Sequence, residues 1–170
     1  MNIIIAIIIL LVYTLVMIKI GGSIPTSLSA SVFNIPTNKR WIWTVVLYSF
    51  CFLVLYPVDI LPYSVSILDK ASENTRFLIF IAVAALAFVG AAPLVKDKTD
   101  LAYKVHCVSA VVSAVASQIF LGFNNWIILL LWIPFIFAFS IYYNRGGNFR
   151  TKVFWAEQVC FSSIFIYCLI

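Results

Sequence analysis

Charge is scarce in this chain of 170 residues: six Asp and Glu with eleven Lys and Arg make up 10% of it, against 64% apolar residues. With a mean hydropathy of +1.10, there are too few polar side chains to clothe a water-soluble surface. Lipid is therefore the expected main solvent, and a second, soluble domain does not fit. Histidine is scarcer still, with His106 alone. The four cysteines, Cys51, Cys107, Cys160 and Cys168, all lie in apolar runs and no two have C-x-x-C spacing. A disulfide framework and a zinc site are both disfavoured, and the thiols read as small packing residues. No phosphate-cradling glycine loop, no nucleophile motif and no nucleic-acid module is present. Neither cofactor nor metal is expected, and no nucleic-acid partner.

What the chain does contain is six apolar stretches. A helix needs roughly 20 residues to cross the hydrocarbon core. Laid along the sequence, that length gives helices at about 2–20, 41–61, 77–95, 101–123, 126–143 and 153–170. The runs are continuous, without the alternation of a membrane β-barrel, and no internal repeat of the inverted-transporter kind is evident. The first run lacks a basic segment before it and ends in Lys19-Ile20-Gly21-Gly22 instead of a small-residue cleavage site, so it reads as a retained helix. The expected fold class is all-α: a polytopic membrane helix bundle forming one domain over 1–170, with six transmembrane helices. The chain is expected to be multi-pass, in the cytoplasmic membrane if bacterial, without a cytoplasmic tail.

The cations orient the bundle. Lys19, Lys39, Arg40, Lys96, Lys98, Lys104, Arg145, Arg150 and Lys152 fall at alternate connections, leaving Lys70 and Arg76 opposite. By the positive-inside rule the nine are cytoplasmic and both termini extracytoplasmic. Trp41 and Trp43, just past Lys39-Arg40, read as interfacial anchors, Ser72 as an N-cap and Pro134 as a helix kink. The third helix, rich in Ala and ending in Gly90-Ala91-Ala92, is expected at the bundle centre, because small residues let helices approach closely.

Candidate chemistry is confined to a few side chains. An ionisable group within a bilayer costs on the order of 2.5 to 3.5 kcal/mol even on the lenient insertion scale, so each needs a partner or water. His106 stands roughly 7 to 8 Å and Glu157 roughly 6 Å in from the same face. At that shared depth they can form an acid–base pair or a proton relay, or merely fix helix packing. His106, Ser109, Ser113 and Ser117 recur at i, i+3, i+7 and i+11, with Gln118 beside them. One face of the fourth helix is thus small and polar, suited to lining a cavity or to close packing. Asp59, roughly 27 Å along its helix from Trp41, belongs to the opposite membrane face. The segment Pro25-Thr26-Ser27-Leu28-Ser29-Ala30-Ser31 is too apolar for an ordinary solvated loop. Both a re-entrant and a surface-lying course stay open for it, with Ser27 and Ser29 as candidate nucleophiles or substrate ligands.

The Ile24-Pro25-x-Ser27-x-Ser29 segment, the basic residue at the start of helix 2 and a histidine near the start of an Ala/Ser-rich helix resemble two groups. These are the small membrane proteins of the Frag1/DRAM/Sfk1 kind and the broader CREST group. The resemblance covers two short patches. It implies six or seven helices and roles in lipid remodelling or asymmetry or, among CREST hydrolases, metal-dependent lipid amide cleavage. Those hydrolases hold zinc with several histidines, and this chain has one. The leading expectation is accordingly a non-enzymatic bundle that contacts or handles membrane lipids, with a homo-oligomeric or other membrane partner left open. The alternatives are a lipid-modifying enzyme using His106 and Glu157, and a small proton-coupled transporter.

The cation asymmetry generates the first prediction. On a cysteine-free background, single cysteines at 39, 98 and 150 should resist impermeant labelling of intact cells, and ones at 1 and 170 should react. Outside labelling of a cysteine at 148 would overturn the orientation.

Overall fold

The computed structural model describes residues 2–29, 31–32, 35–55, 67–91, 100–144 and 150–170. Among them the only regular secondary structure is helix, with no strand. The helices are α1 (Asn2–Gly21), α2 (Trp41–Leu55), the single turn α3 (Ile67–Lys70), α4 (Arg76–Ala91), α5 (Asp100–Asn125), α6 (Trp132–Asn144) and α7 (Lys152–Leu169). Four helical stretches are long and apolar enough to cross a membrane: Ile3–Gly21, Glu73–Ala91, Lys104–Asn144 and Lys152–Leu169. Their outward faces are strongly apolar, with Phe88, Phe123 and Phe137 among the most exposed side chains. Asp59 and the connections at 92–99 and 145–149 lie outside the described residues.

Several local expectations are revised. The fifth apolar run does not begin as an α-helix: Trp126–Leu131 is a 3-10 helix, and α6 starts only at Trp132. Pro134 is thereby the third residue of α6. Its missing N–H falls just after the change from 3-10 to α, so it stands at a junction instead of in the middle of a uniform helix. Ser72 opens a 3-10 turn without a side-chain cap to its backbone, and its hydroxyl meets that of Thr75 at 2.8 Å. Trp41 is exposed as an anchor should be, but Trp43 is 1% exposed and packs on Tyr13, ring centroids 5.0 Å apart. Two residues' step along a helix turns a side chain by about 200°, enough to move an indole from the rim to the core.

The third apolar run is not central either. Helix α4 packs against α5 and α2 through Ile79, Ala82, Ala85, Val89 and Gly90, while Phe77, Phe80 and Phe88 face outward. Helix α7 instead meets α1, α3, α5 and α6. At the end where α7 finishes, Lys70 Nζ donates to the Cys168 carbonyl at 2.9 Å. A cation there satisfies a last-turn carbonyl and complements the helix dipole. Tyr167 returns a hydroxyl bond to the Lys70 carbonyl at 3.0 Å. Asn124, closing α5, accepts from the Ser72 N–H at 3.0 Å and donates to Thr75 Oγ1 at 2.9 Å.

Toward the opposite end the α2–α4 contact is drawn tight by Gly90. Thr44 Oγ1 donates to the Gly90 carbonyl at 2.7 Å. A Cβ on Gly90 would stand 3.2 Å from Tyr48 Cε1 and 3.3 Å from Leu47 Cβ. Gly90→Leu should therefore lower stability in detergent by about 1–3 kcal/mol through overpacking. Gly90→Ala should cost less, since the half-exposed Tyr48 ring can swing aside. Thermal unfolding followed by circular dichroism checks both, and equal stability of Gly90→Leu and the parent would contradict the contact.

Candidate functional site

Helix α7 begins with main-chain donors that its own helix cannot satisfy, and Thr151 ahead of it makes no side-chain cap. The chain supplies a substitute from far away in sequence: the Phe154 N–H donates to the Thr26 carbonyl at 3.1 Å. That bond lays the segment after α1 across the start of α7, and Glu157 then fastens it. The Leu28 N–H donates to Glu157 Oε2, and the Ser29 hydroxyl donates to Oε1 at 3.2 Å. Ser27 and Ser29 hydroxyls meet at 3.3 Å. Ser31 closes a helix-like turn through its N–H to the Ser27 carbonyl at 3.2 Å, and its hydroxyl meets Tyr13 of α1 at 3.1 Å. Leu28, Ser29, Ser31 and Val32 are all buried. Of the two courses open to this segment, the structure takes the one tucked into the bundle end.

Above this floor lies a cavity of about 290 Å³. Helix α2 contributes Trp43, Leu47, Phe50 and Val54, spaced i, i+4, i+7 and i+11 along one stripe. Helix α7 contributes Val153, Ala156, Glu157, Cys160 and Ile164, again one stripe, spanning about 16 Å of helix. Ala82 and Leu86 of α4 and Ala110, Ser113, Ala114 and Ser117 of α5 close the other walls. The cavity is partly open, and its most exposed wall residues are Val111 on α5 and Val153 on α7. Leu28 and Ser29 line the end that Glu157 holds.

The sequence-derived candidates thus divide. Ser113 and Ser117 line the cavity; His106 and Ser109, on the same helical stripe, do not reach its wall. His106 is half-buried beside the backbone of Val89 on α4. No hydrogen bond or ion pair joins it to Glu157, whose two oxygens are taken by Leu28 and Ser29. Gln118 is a cross-link between helices: its amide nitrogen donates to Ser163 Oγ of α7 at 3.2 Å, and its carbonyl accepts from Trp132 Nε1 of α6 at 2.9 Å. Asp59 lies outside the described residues. Among the described residues no three His, Cys, Asp or Glu side chains gather as a metal site would require.

Two participants carried no signal that sequence reasoning could use. Leu28 acts through its main-chain N–H, which every residue but proline has. Trp43 looked like a headgroup anchor because it follows two cations. The hint for Glu157 was there: two serines in an apolar segment can solvate a carboxylate as a histidine can. No family model, curated protein or solved structure matches this chain, so the functional argument rests on this geometry.

The contacts generate a test by coupling. Glu157→Leu strands the Leu28 N–H and should cost about 1–3 kcal/mol, while Glu157→Gln keeps an acceptor and should cost less. In double-variant cycles read by thermal unfolding, Glu157→Leu with Ser29→Ala should be non-additive by at least ~0.5 kcal/mol. Glu157→Leu with His106→Leu should be additive within about 0.3–0.5 kcal/mol. Strong coupling to His106 instead would show that the pin is wrongly assigned.

Proposed function

We propose that this chain is a non-enzymatic, six-span membrane protein whose interior slot receives one hydrocarbon chain of a membrane lipid, with the nine clustered cations on the cytoplasmic side. The observation that carries the reading is the shape and chemistry of the cavity. Its 290 Å³ is spread along about 16 Å of α7, a passage roughly one polymethylene chain wide. That volume sits at the lower end of small-molecule sites, which run from about 300 to 1,000 Å³. The walls are apolar apart from Ser29, Ser113, Ser117, Glu157 and the two indoles.

Magnitude argues against an empty slot. At about 24 cal/mol per Å³, a dry void of this volume would cost about 7 kcal/mol. Typical net stabilities are 5–15 kcal/mol, so an unfilled slot would consume much of what holds a bundle together. A chain of methylenes recovers the lost contacts, and the exposed rim at Val111 and Val153 gives it a lateral way in from the hydrocarbon. The acid–base reading has less support, since no hydrogen bond or ion pair joins His106 to Glu157, which accepts from Leu28 and Ser29 instead.

Filling the slot tests the reading. Ala82→Phe and Ala114→Phe each place an aromatic ring in the passage. Both should reduce the lipid that co-purifies with the protein, measured by native mass spectrometry, at least about tenfold in occupancy, equivalent to 1.4 kcal/mol. Their thermal stability should stay equal or rise, because the ring replaces the chain. Unchanged lipid retention in folded variants would refute chain binding.

A further inference from the structure

The slot's open rim lies close to two cations, one on each of the helices that frame it. Gln118 of α5 bonds Ser163 of α7, and the Phe120 ring packs edge-on against Tyr167, so the two helices run in the same direction. Counted back from those contacts, Lys104 of α5 and Lys152 of α7 stand within about one helical turn of the same level. Both are exposed. Lys152 immediately precedes the rim residue Val153, and Lys104 stands about two turns before the rim residue Val111 on the same helical face. Val153 and Val111 are 47% and 62% exposed.

Acid is sparse at this end. The sequence sets Asp97 and Asp100 against the nine Lys and Arg of the cation-rich connections, and Glu157, the acid inside the slot, accepts from Leu28 and Ser29. Among the described residues no acid pairs with Lys104 or Lys152. A chain that enters the slot sideways from the hydrocarbon leaves its headgroup at the rim, because the walls themselves hold no Lys or Arg. There the headgroup meets two ammonium groups, which only donate. A phosphate diester answers both with acceptor oxygens and a net negative charge; a zwitterionic headgroup brings a cation of its own. The geometry points to an acidic glycerophospholipid as the ligand, with one acyl chain in the slot and its phosphate held at the mouth between Lys104 and Lys152. The second acyl chain stays in the bilayer, as an opening on the side of the bundle permits. This rests on the chain-binding reading and adds to it the class of headgroup. Each basic residue beside an acidic headgroup contributes roughly fivefold, so the pair should favour the acidic lipid by at least about tenfold.

The test reconstitutes the full chain into nanodiscs holding equal parts of dioleoylphosphatidylglycerol and dioleoylphosphatidylcholine, which share their acyl chains. After transfer to mild detergent, native mass spectrometry reads which lipid stays bound. The parent should retain the phosphatidylglycerol at least ~10-fold over the phosphatidylcholine, and Lys104→Gln with Lys152→Gln should bring the ratio near parity while lipid is still retained. Lys39→Gln with Arg40→Gln, at the start of α2, which packs chiefly on α1 and α4, should keep the enrichment. Equal loss in both double variants would overturn the placement at the mouth. Equal retention of the two lipids by the parent would overturn the headgroup assignment and leave chain binding standing, whereas a parent that retains neither lipid would overturn both. The parent alone also reads the charge pairing: in about 1 M salt, where the Debye length is about 3 Å, its enrichment should vanish, and an enrichment indifferent to salt would overturn the pairing even if a variant does not fold.

Discussion

Where water is excluded, a main-chain N–H without an acceptor is expensive, and the arrangement of this bundle follows from how one irregular segment meets that demand. Residues 26–29 and 31–32 form neither a full helix nor a strand, yet most of them are buried. Non-helical backbone is tolerated at depth only where protein supplies the missing partners. Here Glu157 accepts from the Leu28 main-chain N–H and from the Ser29 hydroxyl, and Thr26 in turn accepts from the first turn of α7. Through these bonds the segment that follows α1 becomes the floor under α2 and α7. Tyr13 and Trp43 then pack over Leu28 and Val32.

The same dependence explains what was legible beforehand. Helix positions follow from the lengths of apolar runs, and α1, α5 and α7 begin and end within about two residues of the expected limits. The place of Glu157 in the second turn of α7 was also readable from where the apolar run begins. Its partner was not. Depth constrains one coordinate of three, and the rotation of a helix about its own axis is set by packing that a single sequence does not display. That is why His106 turned toward Val89 and why Trp43 went inward while Trp41 stayed out. The polar stripe of α5 divided along the helix axis: the α5 wall of the slot begins at Ala110, and His106 stands about one turn nearer the helix N-terminus. Ser113 and Ser117 face the slot, whereas His106 belongs to the α4 contact.

Small residues played two different parts that composition alone could not separate. Gly90 permits a true close approach, with Thr44 and Leu47 against its backbone. Ala82, Ala110, Ala114 and Ala156 have equally small side chains, yet they stand around open space. What separates the cases is whether the helices on either side are free to close in. They are not free at the level of the slot, because longer-range clamps fix the spacing above and below it.

Those clamps are polar and sit at different levels of the bundle. At the α7 N-terminal end the Glu157 bonds hold the floor segment in place; at the other end Lys70 and Tyr167 tie the short α3 turn to the end of α7, and Asn124 ties the following turn at Ser72 to the end of α5. Between them Gln118 sets the separation of α5 from α6 and α7. Van der Waals attraction alone would draw such small-faced helices together, since no hydrophobic effect opposes or assists them in lipid. Directional bonds at the ends resist that collapse, because closing the gap would strain or break hydrogen bonds that have no water to replace them. An elongated void bounded by fixed polar junctions is therefore a consequence of how the backbone and side-chain polar groups are satisfied. Its largely apolar walls are the feature that the proposed hydrocarbon occupant answers to.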